Sequence, residues 1–331
     1  MKRIAIIGAG LAGLTLARRL ESKAQITLFE KSRGVSGRLA TRRLGEFEFD
    51  HGAQYFTARS SAFQKFIAPF ISEGLVQEWR PKVLTLAEGE KPDRRDWFEP
   101  HYVAVPRMSG LCKVLAGNLD IRLDAPITAL GKNADNQWQL HSAETDIPEV
   151  FDWVISTAPV TQSIALLGEH LDSSILDHDI DIKNVSMSPC FSLMLGFEEA
   201  IDLPFQAAKV KNSAIDWIMV NSSKPGRADK PTLVIQSNNA WAQTHVDKES
   251  QWIGNAMLEA LDKLSLNPLP TPLVQSVQRW RYARVEQALE QDALLDRKNQ
   301  LGACGDWCLF GRVEGAFLSA VGLAQQLELS L

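Results

Sequence analysis

Near the start of the chain, Gly8-Ala9-Gly10-Leu11-Ala12-Gly13 repeats glycine as Gly-x-Gly-x-x-Gly, and Glu30 follows 22 positions after Gly8. These residue types at this spacing can hold a pyrophosphate. Gly8 permits a tight turn, Gly10 keeps side-chain atoms away from the phosphates, and Gly13 lets a helix pack closely on a strand. A helix beginning at Leu11 and Ala12 offers free N–H groups and the positive end of its dipole to the anion. Glu30 stands where a carboxylate would meet the hydroxyl pair of a ribose. The chemistry is capture of a dinucleotide.

The flanking elements must place those residues. Ile4-Ala5-Ile6-Ile7 is a short apolar run of the kind that forms a buried parallel strand. Leu11, Leu14, Ala17 and Leu20 then recur at helical spacing, and Ile26-Thr27-Leu28-Phe29 reads as a second strand ending on Glu30. The unit is strand, helix, strand and acid in register. Lys2-Arg3 before the apolar run has the look of a secretory leader. Three glycines break the run, and Arg18-Arg19 follows without a small-residue cleavage pattern, so a leader is not expected.

Gly37-Arg38 lies just beyond Glu30-Lys31. This resembles the extended FAD fingerprint of the glutathione-reductase-type flavoproteins. The resemblance implies FAD as the cofactor, with Lys31, Gly37 and Arg38 among its contacts. Arg38 would bring a second cationic fork to the pyrophosphate. No motif signals Cys or His attachment, so the expected binding is non-covalent.

Composition bounds the rest. The 331 residues include 45% hydrophobic and 23% charged residues, ordinary for a globular chain of about two domains. The net charge is −5, and no basic stripe is visible, so nucleic acid is not an expected partner. No apolar run reaches membrane-spanning length. The four cysteines, Cys112, Cys190, Cys304 and Cys308, form no C-x-x-C, and the six histidines show no metal-ligand spacing. The reading is a reduced, cytoplasmic, metal-free protein without membrane attachment.

Further along, Ser60 or Ser61 caps a helix whose face carries Phe63, Phe66, Ile67, Phe70 and Ile71, and Glu88 to Asp96 reads as a solvated loop. A helix from Ser109 to about Leu119 precedes short strands at Pro126 to Leu130, Gln137 to His141 and Trp153 to Ser156; Ile127 is counted with the cofactor contacts. The pattern changes near Val160 to strands at Phe191 to Leu195, Ile215 to Val220, Leu233 to Gln236 and Val274 to Arg281. Near the other end, Leu301 to Trp307 is a short strand ending on Gly305-Asp306, and Gly311 to Ala316 opens a helix to about Leu327.

The stretches Glu30 to Arg43, Asp50-His51-Gly52-Ala53-Gln54-Tyr55-Phe56-Thr57-Ala58-Arg59, Cys304 to Trp307 and Gly311 to Ser319 resemble the renalase family, its bacterial members most closely. The resemblance implies an α/β fold: a Rossmann-type FAD-binding domain, glutathione-reductase or p-hydroxybenzoate-hydroxylase-like, with a second α+β substrate domain. The expected FAD domain is discontinuous, 1–60, 100–160 and 275–331; the expected substrate domain is 61–99 and 161–274. Asp306 would hold the ribityl chain. The helix start at Val313 would face the flavin pyrimidine and stabilise charge near N1 and O2.

The implied activity is oxidation of misreduced 2- and 6-dihydro isomers of NAD(P), with hydride passing to flavin N5 and oxygen yielding hydrogen peroxide. The implied partners are a small dinucleotide and oxygen. Gln54 and Tyr55 would sit beside the isoalloxazine, and His245 is a further catalytic candidate. Trp217, Trp241, Trp280 and Trp307 are candidate pocket walls. A flavin amine oxidase and a non-catalytic dinucleotide sensor are the other readings. The first turns on a lysine near flavin N5, for which Lys209 and Lys211 are the residues in view. Neither the preferred isomer, the choice of NAD or NADP, nor the oligomeric state follows from the sequence.

Overall fold

A computed structural model describes residues 1–142, 146–172, 182–264 and 266–329. The chain separates into two compact units. The first comprises Met1–Gly37, Cys112–Met187 and Val285–Leu331; the second comprises Arg38–Leu111 and Ser188–Arg284.

The first unit is built on a six-stranded sheet with order Leu294–Asp296, Leu301–Ala303, Trp153–Ser156, Arg3–Ile7, Gln25–Phe29, Asp120–Arg122. The strand Arg3–Ile7, here β1, runs parallel to Trp153–Ser156 on one side and to Gln25–Phe29, here β2, on the other. Leu11–Leu20, here α1, connects β1 to β2. The predicted strand-helix-strand is present. A β-branched apolar run buried on both faces forms such a central strand: Ile4, Ala5 and Ile6 are wholly buried. The helix Arg312–Glu328 packs beside α1.

A three-stranded antiparallel sheet, Ile127–Lys132, Trp138–Ser142 and Asp146–Phe151, contributes Trp138 and Phe151 to the same core as Phe29, Val154 and Trp307. The indole N–H of Trp138 donates to the Asn299 carbonyl at 3.0 Å, and that of Trp307 to the Ala158 carbonyl at 3.0 Å. Buried indoles need such acceptors. Trp307 is thus a core residue of this unit and not a pocket wall.

The second unit holds a seven-stranded sheet with order Val274–Gln287, Ser186–Gly196, Thr232–Ser237, Ile215–Val220, Ala207–Val210, Val83–Leu86, Asp93–Arg94. The helix Ser250–Asp262 lays Ile253, Met257 and Leu261 on it, a face spaced at helical period. Ser60 caps the helix Ser61–Ser72 by accepting from the Phe63 N–H at 3.2 Å. Two strands run longer than their apolar cores predict: Ser186–Gly196 and Val274–Gln287. The charged stretch predicted as loop contains a two-residue strand, Asp93–Arg94, paired with Val83–Leu86.

Residues 38–60, 100–111 and 275–284, drawn with the cofactor domain from sequence, group with the second unit. There Phe47 and Phe49 pack with Met194 and Val234, and Tyr102–Ala104 pairs with Val76–Glu78. Residues 161–187, drawn with the substrate domain, group with the first, where Leu166, Leu167 and Ile182 join its core. Among the described residues no helix is long and apolar enough to cross a membrane.

One contact fixes how α1 meets β1. A Cβ on Gly13 would lie 2.0 Å from the Gly8 carbonyl oxygen. Gly13→Ala should therefore destabilise the cofactor-free protein by an overpacking cost of about 1–3 kcal/mol. Thermal unfolding followed by circular dichroism measures it, and an unchanged midpoint would show that the helix can withdraw from the strand freely.

Candidate functional site

In the first unit the glycine loop has the conformation its sequence demands. Gly8 sits at φ +108°, and a Cβ there would meet Thr157 Oγ1 at 2.7 Å. Gly10 is the residue before α1, and no side chain caps that helix start. A Cβ on Gly10 would meet nothing nearer than Gly37 Cα at 3.9 Å, so the space beside it is bounded by two glycines and no side chain. Leu11, Ala12 and Gly13 form the buried first turn of α1. Backbone N–H groups at an uncapped helix start with a bare approach are the donor set of a phosphate cradle.

Glu30 follows the last residue of β2 and is buried. Its carboxylate accepts the Ala9 N–H at 2.9 Å through Oε2 and the Ser32 N–H at 2.9 Å through Oε1. Those two bonds hold the acid against the glycine loop. A carboxylate has about four acceptor sites, so capacity for a hydroxyl pair remains. Lys31 is exposed; Gly37 opens the short turn Gly37–Leu39, which contains half-buried Arg38.

Asp306 follows the strand Leu301–Ala303, whose parallel neighbour is Trp153–Ser156, itself parallel to β1. Asp306 and the glycine loop therefore leave the same carboxyl edge of one sheet, where open α/β sheets bind ligands. The Asp306 carbonyl accepts the Gly311 N–H at 2.9 Å, closing the turn into the helix Arg312–Glu328. Gly311 at φ +72° and Arg312 at φ +69° are both left-handed. No side chain caps this helix either, and half-buried Val313 lies in its first turn. Ile127 begins the three-stranded sheet and packs half-buried on the core of this unit.

In the second unit Gln54 and Tyr55 belong to a more elaborate arrangement. Gln54 is buried, and its amide nitrogen donates to the carbonyls of Asp50 and Gly52. Its Oε1 accepts from Lys224 Nζ at 3.0 Å. The amide is turned inward as a brace for the loop. Tyr55 is half-buried, 4.4 Å from the His101 ring and 4.9 Å from the Trp97 ring, centroid to centroid.

Asp50 and Lys224 have wholly buried side chains, and the Arg227 side chain is 2% exposed. Asp50 Oδ2 accepts from Lys224 Nζ at 3.2 Å and from Arg227 Nη2 and Nε at 2.7 and 3.0 Å. Asp50 Oδ1 accepts from the Thr41 hydroxyl at 2.7 Å and the Met108 N–H at 3.1 Å. Lys224 Nζ also donates to Asn221 Oδ1 at 3.1 Å and lies 5.7 Å from the Trp79 ring centre. Burial would raise the Asp50 carboxyl, but Lys224 and Arg227 overcome it and hold it at about 2. Burial pulls the Lys224 ammonium down to about 8, against the upward pull of Asp50.

His245 stands apart from this group. It follows the helix Asn239–Thr244, with Nδ1 2.8 Å from the Trp241 carbonyl, and its ring clusters with Trp241 at 4.6 Å and Trp252 at 5.0 Å, which stack on each other at 6.1 Å. Lys209 is ion-paired with Asp216 and lies 5.4 Å from the Trp217 ring. Trp280 stacks on His51 at 5.2 Å. Sequence reading passed over Asp50, Lys224 and Arg227 as functional residues. The only local signal was the polar Asn221 to Arg227 stretch between two apolar strands.

The comparisons bear on the fold. Residues 6–70 match a family described as NAD(P)-binding Rossmann-like domain. The chain is 24% identical to renalase from Mus musculus over 349 aligned residues, covering 99% of each chain. It is 45% identical over 58 residues to a 1-hydroxycarotenoid 3,4-desaturase from Flavobacterium sp. (strain P99-3), covering 17% of this chain and 12% of that one. Among solved structures it is similar to a protein assigned as a protoporphyrinogen oxidase from Exiguobacterium sp. 255-15, with a TM-score of 0.81, 14% identity, and 100% and 99% of the two chains covered. A putrescine oxidase variant with redesigned cofactor binding superimposes with a TM-score of 0.72 at 12% identity, covering 100% and 99%. Over its whole length the chain has the two-domain α/β fold of these oxidases, with a Rossmann-like nucleotide-binding domain.

The buried charges generate two expectations. Asp50→Asn leaves Lys224 and Arg227 as neighbouring cations without an anion, and should cost about 3–5 kcal/mol at pH 7. Adding Lys224→Met should recover part of that loss, as a denaturant-unfolding double-mutant cycle will show. The second concerns pH. Folded Lys224 titrates at about 8 against an ordinary 10.5, so between those values the unfolded chain binds more protons. Wild-type stability should gain a rising contribution across that window, and Lys224→Met should lack it.

Proposed function

We propose that the chain is an FAD-dependent oxidoreductase that oxidises misreduced 2- and 6-dihydro isomers of NAD(P), with oxygen as the final acceptor and NAD(P)+ and hydrogen peroxide as products. The observation that carries the reading is the pairing of two uncapped helix starts, after Gly10 and after Gly311, with Glu30 and Asp306 at one carboxyl edge of one sheet. A single nucleotide would need one such element; a long dinucleotide such as FAD uses both.

Once bound, FAD would supply the redox chemistry, as acceptor of the hydride and as reductant of oxygen. The chain's own residues bind and orient. The N–H groups at the start of α1 hold the pyrophosphate, with Arg38 as a second cation. Glu30 fixes the adenosine ribose, Asp306 the ribityl chain, and the helix start at Val313 the pyrimidine. A dihydropyridine gains aromaticity on oxidation, so the protein need only stack and orient it. Gln54, whose amide is no base, is engaged as a brace for the loop. Tyr55 is then the aromatic residue of this loop proposed to meet the ring.

The alternative is the amine-oxidase reading, which turns on a lysine near flavin N5; of the two lysines in view, Lys209 is ion-paired with Asp216. Anaerobic mixing separates the two. The purified protein should be yellow and release flavin on denaturation. Its flavin should bleach rapidly with 2- or 6-dihydro-NAD(P), and air should restore the colour with peroxide formed. Ordinary 4-dihydro NADH should be a poor reductant, because its hydride-bearing carbon would lie elsewhere over the ring. Rapid bleaching by simple amines would favour the amine oxidase, and bound NAD without flavin would sink both. Asp306→Ala should weaken FAD binding about ten- to a hundredfold, the size of one charge-assisted hydrogen bond.

A further inference from the structure

Within the first unit, the glycine loop and Asp306 leave two strands that do not touch. Trp153–Ser156 lies between them, paired with β1 on one side and with Leu301–Ala303 on the other. The last backbone rungs are the Thr157 N–H, donating to the Ile7 carbonyl at 2.8 Å, and the Cys304 N–H, donating to the Ser156 carbonyl at 3.0 Å. Beyond them the three segments leave the sheet for α1, for the helix Val160–Leu167 and for the short turn Asp306–Cys308. Past that edge, side chains carry the connection.

Two side chains do so. Thr157 Oγ1 lies 3.0 Å from the Gly8 carbonyl oxygen and 3.1 Å from that of Ile7, and donates its one proton toward both. The carbonyl of the next residue, Ala158, accepts from the Trp307 indole N–H at 3.0 Å. Trp307 is wholly buried and directly follows Asp306. Gly305 makes room for it: a Cβ there would lie 2.9 Å from the indole nitrogen. A buried indole needs an acceptor for its own sake. The Ala158 carbonyl, however, also accepts from the Ser163 hydroxyl at 2.9 Å, so it is satisfied without the indole. What the second bond adds is a tie between the ends of neighbouring strands.

We propose that Trp307 is a positioning residue for FAD: through Ala158 and Thr157 it holds Asp306 in register with the glycine loop, so that one cofactor is met at its pyrophosphate end and its ribityl end together. The proposal rests on the flavin reading above. Its physical content is preorganisation. A carboxylate already held in place loses little freedom when its hydroxyl partner arrives, whereas a loosened one must be ordered by the ligand. ADP carries only the pyrophosphate end, so it draws on the glycine loop and Glu30 and not on Asp306.

Binding measurements on the full, cofactor-free chain test it. Trp307→Phe removes the indole N–H and leaves the Ala158 carbonyl its Ser163 bond, so no buried polar group is orphaned. Its dissociation constant for FAD, read by flavin fluorescence, should rise about 3- to 10-fold, while that for ADP, read by calorimetry, should stay within about twofold of wild type. In an Asp306→Ala background the same substitution should change FAD affinity by less than about twofold, because the group it positions is gone. Gly305→Ala, which crowds the indole nitrogen and keeps the ring, should reproduce the FAD loss, and it replaces the Phe variant should that one not fold. Ser163→Ala removes the other donor to the same carbonyl and should leave both constants unchanged. Unchanged FAD affinity in Trp307→Phe and Gly305→Ala, an equal loss for FAD and ADP, an equal loss in Ser163→Ala, or a full effect persisting without Asp306 would each overturn the proposal and leave Trp307 a packing residue. Wild-type protein that binds ADP but not FAD would instead sink the flavin reading, and the role of Trp307 with it.

Discussion

A single carboxylate sets the organisation of the second unit. Asp50 is wholly buried and accepts from Thr41, Met108, Lys224 and Arg227, which come from three separate stretches of chain. A buried charge is tolerated only when its hydrogen bonds are complete. The constraint therefore runs outward: the hairpin of Thr41–Leu44 and Phe47–Asp50, the start of the helix Ser109–Ala116 and the turn Asn221 to Arg227 must all converge on one point. Lys224 carries the constraint one step further, to Gln54 and so to the backbone of the loop before Tyr55.

The first unit follows a different logic. Its site needs no buried ion pair, because the donors are backbone N–H groups at helix starts and the selectivity lies in what is missing. Gly10 and Gly37 leave a space with no side chain in it, and Gly13 brings α1 against β1. Glu30 is a charged side chain tied to the glycine loop itself, held by two backbone N–H groups. Binding as proposed here would be a matter of backbone geometry, which is why residue identity at a few glycines carries so much information.

That contrast explains what could be read in advance. The strand, glycine loop, helix and acid are contiguous, so local spacing shows them. The strand before Asp306 and the helix after Gly311 were visible for the same reason. The Asp50 cluster was not, because Lys224 and Arg227 meet Asp50 across 174 and 177 positions and sit in a turn of ordinary composition. His245 drew notice as a lone histidine near a tryptophan, yet its ring is packed in an aromatic cluster with Trp241 and Trp252. The unit boundaries depended on packing as well: Phe47 and Phe49 look like any strand until Met194 and Val234 cover them. Strand lengths were underestimated where a strand runs on beyond its apolar stretch, as at Ser186–Gly196.

The sheet of the first unit has a consequence for how the chain is made. β1 is central, but its neighbour Trp153–Ser156 pairs in turn with Leu301–Ala303, whose Leu301 aligns with Val154. Contacts of such sequence separation form slowly, since the loop between them must close before the pairing rewards it. A ribosome makes about 5–20 residues per second, so β1 and α1 emerge many seconds before the strand and helix that complete their sheet. Through that interval the apolar strands Ile4 to Ile7 and Val154 to Ile155 lack their final cover. The nascent chain is therefore a natural client for a holding chaperone, and truncations that remove Leu301–Ala303 should be recovered as aggregates, not as a smaller folded protein.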